Sequence, residues 1–173
     1  MNIKFILLTE PTPKLVNTFN RWGNDVNLKA LSQPNRSKAE LERETFLTIE
    51  DVRHRLEYQH VYLKYLDNRL IGEMSFTVDP GHLINKNSET AWISIVIGEP
   101  ACRGKGIGVI ALEYLEEQVR KYGLKRMELG VFEFNKPALK LYQKLGYQEM
   151  GRIEEFTYYE GNMWADIRME KCF

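Results

Sequence analysis

The chain has 173 residues, enough for one domain with a substantial core, and its 43% apolar and 28% charged residues are ordinary for a soluble globular protein. Lys plus Arg and Asp plus Glu both number 24, so no overall positive field recruits nucleic acid or an anionic membrane surface. Two cysteines and three scattered histidines give neither a disulfide framework nor metal-ligand spacing, and no apolar run is long enough to span a bilayer.

Ile3 to Leu8 reads as a short strand stopped by Pro11 and Pro13. The first residues lack the pattern of a secretory leader, so a cytoplasmic location is expected. Thr12 before Pro13 marks a helix start, and Leu15, Val16, Phe19 and Trp22 carry that helix to Gly23. Gln33 to Lys38 is polar and reads as a loop. A second helix is expected from Thr48, with Asp51 completing a capping box and Val52, Leu56 and Tyr58 on its length. His54 and His60, around the end of that helix, are expected to face solvent.

From Val61 the pattern turns to strands. Val61 to Leu66 and Leu70 to Val78 flank Asp67-Asn68, a pair with hairpin-turn chemistry. Asp79-Pro80-Gly81 closes the second strand, a polar loop runs from His82 to Glu89, and Ala91 to Ile97 is strand again. Val109, Leu112, Leu115 and Val119 recur at helical spacing between Ile107 and Tyr122, with Gly123 as the stop. Met127 to Phe132 is a strand, and Lys136 to Leu145 a helix opened by Asn135 and Pro137 and closed by Gly146. Tyr147 to Tyr159 and Met163 to Glu170 form a hairpin around Glu160-Gly161. The order implies a single α/β domain over residues 1–173, a mixed sheet flanked by helices.

The stretch Arg103-Gly104-Lys105-Gly106-Ile107-Gly108 sits at a strand-to-helix turn. Glycines there let a ligand approach the backbone, and the first amides of the helix favour an anion. It is not a P-loop, because Val109 and Ile110 stand where Lys-Ser/Thr is required. A dinucleotide fingerprint would need a glycine at Arg103 and an acidic residue near Asn135, preceded by a βαβ unit that is missing.

Together with the later run Asn135-Lys136-Pro137-Ala138-Leu139-Lys140-Leu141-Tyr142-Gln143-Lys144-Leu145-Gly146-Tyr147, this loop resembles the Arg-x-x-Gly-x-Gly and Asn-x-x-Ala-x-x-Leu-Tyr-x-x-x-Gly-Tyr blocks of the GNAT superfamily of N-acetyltransferases. The ending Tyr159 to Asp166, followed by Met169, resembles the branch with ribosomal-protein and spermidine acetyltransferases. The resemblance implies the acyl-CoA N-acyltransferase fold, a mostly antiparallel mixed sheet with a central splay. It implies acetyl-CoA as co-substrate, no metal, and direct transfer to a primary amine such as a protein N-terminus or a polyamine.

By the same resemblance, Arg103, Gly104, Lys105, Gly106, Ile107 and Gly108 would hold the pyrophosphate, and Ile95, Val96 and Ile97 would pair with pantetheine as an added strand. Asn135 would bond the pantetheine arm, Ala138 would leave it room, and Tyr142 would both line the cofactor site and protonate the leaving thiolate. The base does not transfer: the two positions where relatives carry a glutamate are Trp92 and Gly130 here. Glu73, Glu89, Glu128 and Glu133 are the candidates, with Glu73 and Glu133 first because they lie on or beside central strands. The alternative reading is a non-catalytic acyl-CoA-binding sensor or interaction module. The C-terminal hairpin edge is compatible with a homodimer, and Phe156, Tyr158, Tyr159 and Trp164 read mostly as filling.

Overall fold

A computed structural model describes residues 1–173. Seven strands are hydrogen-bonded in the order β1-β2-β3-β4-β5-β7-β6. The chain divides into two compact units, residues 1–10 with 53–129 and 170–173, and residues 11–52 with 130–169.

In the first unit β1 (Ile3–Leu7), β2 (Gln59–Leu66), β3 (Arg69–Val78) and β4 (Thr90–Ile97) pair antiparallel in sequence, and β5 (Arg126–Phe132) joins β4 in parallel. Asp67 and Asn68 both have positive φ, 47° and 66°, the backbone of a type I′ turn that matches strand twist. The helix α5 (Ile107–Lys121) buries Ile107, Ala111, Leu112, Leu115 and Val119. Its Tyr114 stacks on Phe5 at 4.5 Å and meets Tyr62 edge-on at 5.7 Å, which seats it on the sheet face that carries Tyr62 and Phe76. Burial of each larger side chain, Ile107, Leu112, Leu115 and Val119, contributes roughly 2 kcal/mol. Gly123, at φ 90°, ends the helix, and the N–H of Leu124 reaches back to the Val119 carbonyl at 3.2 Å.

The loop from Asp79 to Glu89 is held by its ends and its middle. Asp79 accepts from the N–H groups of Glu89 and Thr90, while the buried Glu128 carboxylate accepts from those of Ile84 and Asn85. Arg126 balances Glu128 at 2.7 Å and Glu170 at 2.6 Å. His60 lies on β2 rather than at a helix end: it stacks on Phe76 at 4.4 Å and meets Tyr122 at 4.7 Å, and burial lowers its pKa. The expectation of a solvent-facing His60 is thereby corrected, because β2 begins at Gln59 and turns this ring onto the aromatic face.

The second unit holds α1 (Pro13–Gly23), α2 (Val26–Ser32), α3 (Lys38–Glu42), α6 (Lys136–Lys144) and the hairpin of β6 (Gln148–Tyr159) and β7 (Asn162–Cys172). The sequence pattern did not disclose α2 and α3, of seven and five residues, because neither is long enough to show a helical period. Side-chain caps start both: Asp25 accepts from the amides of Asn27 and Leu28, and Ser37 from that of Glu40. Asn20 and Asn24 of α1 grip the following segment through paired amide bonds to the backbone of Leu47 and Thr45.

The capping box of Thr48 and Asp51 opens α4 (Ile49–Arg55) as expected. That helix stops at Arg55, short of Tyr58; Leu56, Glu57 and Tyr58 instead donate to carbonyls three residues back, and Tyr58 is exposed. Tyr159 and Trp164 are half-buried: Phe134 stacks on Tyr159 at 4.0 Å, and Trp164 donates its indole N–H to the Tyr159 carbonyl.

Candidate active site

The strand β4 leads into the glycine loop with one edge open. Its register with β5 stops at Trp92 and Glu128, although β4 continues to Ile97. On its other edge Ile95, Val96 and Ile97 stay paired with Met74, Glu73 and Gly72 of β3. This is the expected central splay, and it leaves the Ile95–Ile97 backbone with the geometry to receive an extended amide chain.

After a tight turn over Pro100–Cys102 the loop begins. Gly104 and Gly106 take positive φ, 71° and 76°, and nothing lies within 4 Å of a Cβ built at either. Backbone conformation, not crowding, is what requires glycine there. Gly106 is the residue that opens α5, and no side chain caps that helix start. The first amides of α5 therefore lack a side-chain acceptor at the positive end of a fifteen-residue helix, an arrangement suited to a phosphate. Gly108 lies inside the first turn, Lys105 is exposed, and Arg103 is half-buried with its Nε donating to the Ile97 carbonyl at 3.1 Å.

In the second unit Asn135 opens α6 by accepting the Ala138 N–H on Oδ1 at 3.4 Å, a use of its oxygen that leaves the amide nitrogen as the donor. Tyr142 lies on α6, half-buried, with Tyr147 against its ring at 5.8 Å. Burial pushes its phenol up to about 12, so it carries its proton at neutral pH. Gly146 at φ 88° ends α6, with the Tyr147 N–H returning to the Tyr142 carbonyl at 3.0 Å.

The four glutamates singled out from the sequence fare differently. Glu73 lies opposite Val96 in the β3–β4 register, little exposed, with both oxygens on Arg55 Nη1 at 3.1 and 2.9 Å. Glu133 pairs with Arg152 at 2.8 Å, and that hydrogen bond holds its carboxyl below the usual range. Glu89 pairs with Lys125 at the surface, and Glu128 is committed to Arg126 and the loop amides.

Sequence reasoning missed Asp166. Its carboxylate fills the space beside Gly130, where a Cβ would come within 2.7 Å of Oδ2 and 2.9 Å of Oδ1. Asp166 is buried and bonded to Arg168 Nε at 2.7 Å. The missing side chain at 130 thus has a physical reason: a carboxylate from β7 already stands there. Only the juxtaposition of two distant strands reveals this, and no local pattern signals it. No three His, Cys, Asp or Glu side chains gather to hold a metal ion, and no helix is long and apolar enough to cross a membrane.

The chain is 49% identical over 47 residues to an uncharacterized N-acetyltransferase, YdgE, of Bacillus subtilis, covering 27% of this chain and 30% of that one. It is 27% identical over 140 residues to the spermine/spermidine N(1)-acetyltransferase of the same organism, covering 75% of this chain and 91% of the relative. The chain spans under half the length of the first two curated relatives it matches, 30% and 47%. The spermidine N-acetyltransferase of Vibrio cholerae, solved in complex with CoA and spermine, superposes with a TM-score of 0.74 at 17% identity, covering 98% of this chain and 95% of that one, which establishes a common fold. The family model of the GNAT acetyltransferases matches residues 26–147, and with that span the chain belongs to the acetyltransferase (GNAT) family.

Proposed function

We propose that residues 1–173 act as one acetyltransferase domain that moves the acetyl group of acetyl-CoA directly to a primary amine. The observation that carries this reading is the open edge of β4 running into a left-handed glycine turn at an uncapped helix start. The amides from Arg103 to Gly108 receive the pyrophosphate, with Arg103 and Lys105 adding charge. The backbone of Ile95, Val96 and Ile97 pairs with pantetheine, and one of its N–H groups polarises the thioester oxygen. Asn135 bonds the pantetheine arm beside Ala138. Glu73, facing Val96 across the register, is the first carboxylate proposed to take the proton of the incoming ammonium, followed by Glu133. The neutral amine then forms the C–N bond, the C–S bond breaks, Tyr142 protonates the thiolate, and the excess proton of the acylated nitrogen passes through solvent to restore the Tyr142 phenol.

The acceptor class proposed is a polyamine or a protein N-terminus, supported by the name of the Bacillus subtilis relative that aligns over most of its length. The arginines on Glu73 and Glu133 favour a second reading, an acyl-CoA-binding sensor without turnover. Thiol release from acetyl-CoA across polyamines and short peptides separates the two. Release that needs an acceptor, and that falls about a hundredfold in Tyr142→Phe with unchanged acetyl-CoA affinity, supports transfer. Binding without release for any acceptor supports the sensor. Failure to bind acetyl-CoA overturns both.

A further inference from the structure

Lys64 is wholly buried on β2, and its Nζ has no hydrogen-bond partner. Such a group is costly to the fold and calls for an explanation beyond packing. Its stem lies across β3 at Gly72: a Cβ there would meet Lys64 Cε at 2.9 Å and collide with the Val96 carbonyl. Gly72 is opposite Lys64 in one register and opposite Ile97 in the next, so the missing side chain opens a passage from β2 toward the end of β4. At that end the Ile97 carbonyl holds Arg103 Nε, and Arg103 Nη2 is also buried without a partner. Lys64 thus lies against Gly72 and Arg103 against Ile97, which are partners across the β3–β4 register just before the glycine loop, and each side chain keeps a buried donor with no acceptor.

We infer that Lys64 and Arg103 form a buried cationic floor behind the phosphate-binding loop, and that Lys64 takes up a proton when the diphosphate of acetyl-CoA binds. The inference rests on the acetyl-CoA reading above. The step is a simple protonation: solvent supplies the proton, the Nζ lone pair forms the N–H bond, and nothing is oxidised or reduced. Burial holds the free amine down to about 7, opposed by the charge of Glu73, so above neutrality it is largely uncharged until an anion arrives. Glu73, next to Gly72 on β3 and paired with Arg55, is the charge whose field acts on Lys64. The surrounding elements also carry Lys4 on β1, His60, Tyr62 and Tyr65 on β2, Arg69 on β3, and Glu113, Tyr114, Glu116 and Glu117 on α5, with Arg103 in the loop. Glu73 is tied to Arg55 and Arg103 Nε to the Ile97 carbonyl, whereas Lys64 Nζ has no hydrogen-bond partner at all.

Calorimetric titration of the whole chain with acetyl-CoA at pH 8, in two buffers of different ionisation enthalpy, tests this. Wild type is expected to take up a substantial fraction of a proton, and its Kd to rise about fivefold per pH unit above 8. Lys64→Met is expected to bind more weakly, without uptake and with a flat pH profile over that range. Lys64→Arg, charged throughout, is expected to bind without uptake and to keep its affinity at pH 9. Wild-type binding without proton uptake, or equal uptake in Lys64→Met, would overturn the role of Lys64 and leave the acetyl-CoA reading standing. Absence of any binding by wild type would overturn both.

Discussion

The loop region around β4 and the helical segment from α1 to α3 treat their polar groups in opposite ways. Lys64 Nζ and Arg103 Nη2, the buried side-chain atoms without a partner, both belong to the surroundings of the glycine loop. The helical segment also buries a lysine, Lys29, but its Nζ donates to the carbonyls of Glu40 and Arg43 at 3.0 and 2.8 Å. One region keeps buried donors without an acceptor, the feature on which the proposed ligand role rests. The other turns its polar groups inward to hold short helices together. Two buried lysines of the same chain thus have different meanings, and the difference lies in their partners.

Four substitutions would break or sharpen that contrast. The largest effect is expected from Lys64→Met, which should stabilise the fold at pH 6 by up to about 4 kcal/mol, read from denaturant melts. The sign follows from the folded pKa of about 7 against 10.5 for ordinary lysine. A lowered lysine penalises the fold fully below pH 7, and the penalty fades as pH rises toward 10.5, so the gap between variant and wild type should narrow over that window. A gap that does not change with pH would mean that Lys64 is charged and paired in solution.

Gly106→Val places a β-branched residue at φ 76° and should raise the Kd for acetyl-CoA about a hundredfold, or about 2.7 kcal/mol, by calorimetry. An unchanged Kd would show that the loop backbone is not the phosphate cradle. Lys29→Met should act oppositely to Lys64→Met, destabilising by about 2 kcal/mol in thermal melts while leaving acetyl-CoA affinity alone. The smallest effect belongs to Asp25→Ala, which removes the cap of α2 and should cost about 1 kcal/mol by the same measurement.

The contrast also explains what could be read in advance. Long elements with local punctuation were legible: Asp67-Asn68 and Glu160-Gly161 as turns, Gly123 and Gly146 as helix stops, Thr48 and Asp51 as a capping box. The short helices α2 and α3 were not, because their stability comes from caps and from contacts such as that of Asn35, whose N–H donates to Thr157 Oγ1 at 3.0 Å across 122 residues of sequence. His60 was misplaced for a related reason: its surroundings depend on where β2 begins and on a ring contributed by Tyr122.

By itself the sequence determined the family, the glycine loop and the block from Asn135 to Tyr147, since each is a run of adjacent residues whose backbone demands and spacing are local. Tertiary structure alone decided the state of the charges. It set Arg55 on Glu73, carried the Asp166 carboxylate into the space that Gly130 leaves, and passed Lys64 over Gly72 toward Ile97. Strand register sets Gly72 between Lys64 and Ile97, the end of α4 supplies Arg55, and a pairing between distant segments leaves no mark in the order of residues along either one.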